Sequence, residues 1–148
     1  MAKKIKRGRI PRLARSIPPA SPPPDADSLR FSFKYLDLVG NAKFSLKRCR
    51  DGYLHTFLER LRDLSRLTAK EFRTNRSRAL RAHPIDFSET TEPQGFRALN
   101  EQLRAEQAWQ FQLTANEHGR VHGFLLLDTF FVVWIDPDHE LYSSQRQG

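Results

Sequence analysis

The sequence predicts an α+β domain: a twisted antiparallel sheet with two N-terminal helices packed on one face, preceded by a disordered basic tail. Three observations carry this reading. Leu54, Phe57, Leu58, Leu61, Leu64 and Leu67 recur at the spacing of one helix face, with Glu59, Arg60, Arg62, Asp63 and Arg66 opposite. Near the C-terminus Trp109, Phe111 and Leu113 alternate with Gln110, Gln112 and Thr114, and two apolar runs follow at strand length. Six of the nine prolines fall in the first 24 residues, a segment too poor in apolar side chains to build a core.

The tail is read as residues 1–28 and a single domain as residues 29–148. Phe31, Phe33 and Tyr35 alternate with polar residues, which predicts a first strand with these three rings on one face. Gly40-Asn41 is a turn sequence, and Lys43-Phe44-Ser45-Leu46 can extend or pair with that strand. Asp51 stands where the N-cap of the long helix is expected. Thr68-Ala69-Lys70-Glu71 is a capping box, in which the threonine oxygen and the glutamate satisfy free backbone N–H groups, so a second helix starts at Ala69. Residues 89–97 read as a loop and 100–107 as a helical turn. Three strands follow, at 108–115, 120–127 and 130–135, with tight turns at 116–119 and at Asp128-Thr129. The unbroken run Phe-Phe-Val-Val-Trp-Ile marks a strand buried on both faces, and Pro137 ends it.

A chain of 148 residues is about one domain long. No apolar run approaches the roughly 20 residues of a membrane helix, and the basic start lacks the apolar stretch of a secretory signal. The single cysteine, Cys49, allows no internal disulfide and fits a cytoplasmic protein. Net charge is +8, and residues 1–28 supply +5 of it, from seven cations including Lys3, Lys4, Lys6 and Arg7 against Asp25 and Asp27. A basic arm is suited to phosphate contact, since each neutralised phosphate releases counterions. The plainer alternative is a solubilising tail.

Metal-independent RNA cleavage needs a base for the ribose 2′-OH, an acid for the leaving oxygen and a cation for the phosphorane. His118, Arg120 and His122 lie at or just beyond one turn, and Arg120 and His122 share a strand face. With a two-residue turn at Asp128-Thr129, Val121 is expected opposite Asp136 and Arg120 opposite Pro137. Asp136, Asp138, His139 and Tyr142 then reach the same sheet end. Strand ends also gather polar residues simply because they are wet. A second group, Arg73, Arg76, Arg78, Arg81 and His83, can grip phosphates or be a solvated helix end. Spacing around Asp136, Asp138 and His139 is too common to signal a metal, and no nucleotide-binding fingerprint is present, so no cofactor is expected.

The segment from Arg120 to Tyr142, with its strand-opening arginine, short turn, β-branched strand and closely following histidine and tyrosine, resembles the C-terminal hairpin of the RelE/ParE toxin superfamily. The preceding strand, two helices and strand at 109–114 occur in that family's order, so the resemblance covers about residues 30–142. It departs from the pattern in the Asp136-Pro137-Asp138 insert and in the long irregular segment between residues 76 and 106. The resemblance implies a RelE-like fold and a toxin that cleaves RNA, on ribosome-bound mRNA in one branch, held by an antitoxin protein. Arg120 would steady the phosphate, His139, His118 or His122 would move protons, and Tyr142 would assist at the leaving oxygen. The alternative is a non-enzymatic module on the same fold that binds nucleic acid or a protein.

Overall fold

A computed structural model describes residues 27–74, 82–114 and 119–142. Expectations for the tail, with Lys3, Lys4, Lys6 and Arg7, and for Arg76, Arg78, Arg81 and His118 fall outside these residues. The chain is mixed α+β. Five strands, β1 (Arg30–Ser32), β2 (His83–Pro84), β3 (Ala108–Gln112), β4 (Arg120–Leu126) and β5 (Thr129–Asp136), form one sheet in the order β1-β5-β4-β3-β2. Three α-helices, α1 (Tyr53–Leu64), α2 (Ala69–Thr74) and α3 (Glu101–Arg104), and three 3₁₀ turns, at Ala42–Phe44, Leu46–Arg48 and Phe87–Glu89, complete the described elements, so the segment around Lys43–Leu46 does not extend the first strand.

The sheet is mixed rather than wholly antiparallel, because β1 runs parallel to β5. No hairpin links these two strands, so turn geometry does not dictate their sense. Arg30 N–H donates to the Asp128 carbonyl and Leu29 N–H to the Leu67 carbonyl, both at 2.8 Å, and so β1 is anchored between the last hairpin and the end of α1. The strand stops at Ser32, and its expected alternation breaks there. Phe33 stays 45% exposed beside Phe57, while Tyr35 crosses to pack on Phe124 and Phe131. Beside β3 lies the unexpected two-residue β2, where Pro84 is tolerated because the strand is an edge.

Helix α1 buries Tyr53, Phe57, Leu61 and Leu64, whereas Leu54 and Leu58 are exposed, correcting the broader stripe. Successive helical residues turn by roughly 100°, so Leu58 lies well round from Phe57 and away from the sheet. The N-cap is Gly52 in the left-handed region at φ 80°, not Asp51. The capping box forms in part: Glu71 N–H donates to Thr68 Oγ1 at 3.1 Å, but the Glu71 carboxylate accepts from the threonine hydroxyl at 3.2 Å. Asn100 caps α3 by accepting from Leu103 N–H.

Both sheet faces are covered. Side chains of α1 and α2, including Phe57, Leu61 and Phe72, pack with Phe111, Val121, Phe130 and Val132. A separate cluster on the other face packs Phe44, Phe96, Leu99 and Leu141, from outside the strands and α-helices, on Phe124 of β4 and Trp134 of β5. Strand β5 is thus buried on both faces, as its unbroken apolar run requires.

The β4–β5 turn is Leu127-Asp128, one residue earlier than expected, with Leu127 at φ 54°. A bulge between His122 and Gly123 then shifts the register by one. A Cβ on Gly123 would collide with the Phe131 carbonyl oxygen, so only glycine lets the strands meet there. Arg120 consequently pairs with Asp136 and Val121 with Ile135.

Candidate functional site

At one end of the sheet, β3, β4 and β5 place Gln112, Arg120 and Asp136 in one cross-strand row and Gln110, His122 and Trp134 in the next. Residues opposite each other and two apart share a face, so all six line the same side. Gly119 lets β4 begin against β5, since a Cβ there would collide with the Asp136 carbonyl oxygen.

Asp136 is wholly buried and organises the turn that follows it. Its Oδ1 accepts from Glu140 N–H at 2.7 Å and its Oδ2 from Leu141 N–H at 2.9 Å. Burial raises its pKa to about 6, and these two N–H donors act against the rise. His139, inside this turn, takes φ 56°, a left-handed conformation uncommon for any side chain but glycine. Outside the turn, Arg48 forks across Glu140 at 2.8 and 2.9 Å and reaches Asp138 at 3.0 Å. The turn is therefore fixed from within and from without.

The ring of Tyr142 lies 6.3 Å from His139 and 6.2 Å from His83, centroid to centroid. Burial first, then the charges of Arg120 and His83, lower the His139 pKa to about 4. Burial, Glu89 and Asp86 raise that of Tyr142. His139 is thus a neutral imidazole and Tyr142 a protonated phenol at neutral pH.

Behind them His122 is fully buried against Phe44 and Trp134. Its pKa is pushed well below the ordinary value, by burial and then by His139, His83 and Arg120. His122 Nε2 lies 3.9 Å from Asp136 Oδ2, too far for a hydrogen bond, and bonds instead to Gln110 Oε1 at 2.9 Å.

Of the residues expected at the site, Arg120, His139 and Tyr142 come together half-buried, and His122 is enclosed behind them. In the second basic group Arg73 is exposed in the last turn of α2, while His83 sits in β2 with its ring bonded to Pro84 and Gln110. Gln110, Gln112 and Arg48 were not legible as site residues. Gln110 and Gln112 look like the wet face of an alternating strand, and only the covering of that face by distant segments buries them. Among the described residues no group of three or more histidine, cysteine or acidic side chains is placed to hold a metal ion, and no helix is long and apolar enough to cross a membrane.

Set beside known protein families, curated proteins and solved structures, the chain matches none of them.

Proposed function

We propose that this chain is a RelE-like toxin, a metal-independent endoribonuclease of the cytoplasm whose proton-transfer pair is His139 and Tyr142. The observation that carries the reading is the placement itself: the His139 and Tyr142 rings lie 6.3 Å apart, half-buried at the same sheet end as Arg120. In this reading a scissile phosphate sits against Arg120. The 2′-oxygen attacks phosphorus as its proton passes to His139 Nδ1 or Nε2. The P–O5′ bond breaks as Tyr142 gives its proton to the departing oxygen, leaving a 2′,3′-cyclic phosphate and a 5′-hydroxyl. The charge added to the phosphorane falls on Arg120, and the enzyme is reset as solvent takes the proton from His139 and gives one to Tyr142. General acid and base each supply about 10²–10⁴-fold in rate.

RNA, free or as mRNA on the ribosome, is the expected partner, engaged by the basic tail and the group from Arg73 to Arg81. One observation favours a protein-binding role beside or instead of cleavage. Leu54 and Leu58 on α1 and Phe33 beside it are large apolar side chains left exposed, as a surface for an antitoxin would be.

Expression of the gene alone, followed by primer extension on cellular RNA, tests the reading. Growth arrest with cuts that vanish in His139→Ala is expected. Arrest without cuts would favour the protein-binding role, and cuts that persist in His139→Ala would overturn the assigned site.

A further inference from the structure

Three side chains form a hydrogen-bonded row through the site, from the buried His122 through Gln110 to His83. His83 Nδ1 lies 2.9 Å from the Pro84 carbonyl oxygen. A carbonyl only accepts, so this nitrogen carries the proton. In the neutral ring Nε2 is then a bare acceptor, and Gln110 meets it with its Nε2–H at 3.0 Å. That leaves Gln110 Oε1 facing His122, which must donate from Nε2 at 2.9 Å. His122 Nδ1, buried with no partner among the described residues, is left as a lone pair.

The opposite arrangement is expensive. With the amide turned over, its NH2 would face His122 and drive that ring's proton onto Nδ1, a buried N–H with no acceptor. A buried donor left unpaired loses its hydration with nothing in return.

We infer that Gln110 is a positioning residue whose carboxamide locks His83 in its Nδ1–H form and His122 in its Nε2–H form, coupling the two rings. Both nitrogens of His83 are committed by this lock, so His83 braces the ring of Tyr142 and neither grips a phosphate nor moves a proton. Among the described histidines of the site, proton transfer then falls to His139. The consequence for cleavage rests on the ribonuclease reading, whereas the tautomers are properties of the folded chain and need no substrate.

Long-range proton–nitrogen NMR correlation on the full chain, labelled with ¹⁵N at its five histidines, reads the lock directly. Single His→Gln variants assign the rings. At mildly alkaline pH the wild type should show His83 protonated on Nδ1 and His122 on Nε2. In Gln110→Glu the carboxylate can only accept, so His83 should gain a proton on Nε2. Wild-type His83 protonated on Nε2 would overturn the inference, as would a His83 spectrum unchanged in folded Gln110→Glu. If that variant fails to fold, the wild-type tautomers decide alone. Correct tautomers in a protein that cuts no RNA would sink the ribonuclease reading and leave the lock standing.

Discussion

The backbone N–H of His139 returns to the carbonyl of Asp136 at 3.3 Å, while the Asp136 carboxylate holds the two residues that follow His139. A left-handed histidine costs about 1–2 kcal/mol, and it persists because the buried carboxylate over-determines the turn. Asp136→Asn keeps one acceptor and turns an NH2 group toward a backbone N–H. The substitution should lower the unfolding free energy by about 1–3 kcal/mol and reduce any RNA cleavage by more than it reduces stability. Urea titration with parallel cleavage assays checks both.

Gln112 offers the opposite case. It is wholly buried opposite Arg120, and among the described residues neither atom of its amide has a partner. Its backbone carbonyl accepts from Arg60 Nε at 2.8 Å, a bond that survives a change of side chain. Gln112→Met, close in volume, should stabilise the fold by about 1–3 kcal/mol, seen as a raised denaturation midpoint with an unchanged slope.

The acid side of the stability curve follows from two buried groups, His122 and Asp136, and the half-buried His139. His139 is held down to about 4 from 6.5, and His122 lies well below its ordinary value. Across this window the unfolded chain carries protons on both rings that the folded chain does not, so their contribution to stability rises with pH. Asp136, raised from 3.8 to about 6, is protonated earlier in the folded state, and its contribution falls as pH rises. Two histidines oppose one carboxylate, so stability should climb between about pH 4 and 6.5, and climb more steeply in Asp136→Asn. Denaturation midpoints that are flat or falling over this range would contradict the arrangement.

Removing residues 1–16 takes away seven cations. Binding to a short RNA should weaken, and the slope of log K against log salt should become shallower by about 0.7 for each single-strand phosphate that is no longer neutralised. Equal affinity and slope would make this segment irrelevant to binding.

Much of the fold was legible because it follows local rules. The three C-terminal strands, the long helix and the helix beginning at Ala69 all announce themselves by periodicity or capping. The sense of β1 was not legible, since it depends on a strand almost a hundred residues away. The register of β4 on β5 was off by one because the turn begins at Leu127 and a bulge sits at Gly123. Neither leaves a mark in hydrophobic alternation. At the site, Arg120, His139 and Tyr142 could be gathered from the hairpin alone. Gln110 could not, because its role depends on His83, brought alongside by the short edge strand β2.

Whether the chain is a ribonuclease that uses His139 is decided by the rate at which purified protein cuts an RNA oligonucleotide, alone and with ribosomes, in wild type and in His139→Ala. Cleavage to a 2′,3′-cyclic phosphate by the wild type is expected, with a loss of about 10²–10⁴-fold in the variant and with fold and RNA affinity nearly intact. A wild type that binds RNA and leaves it whole, or a His139→Ala protein that cuts at the wild-type rate, would contradict this reading.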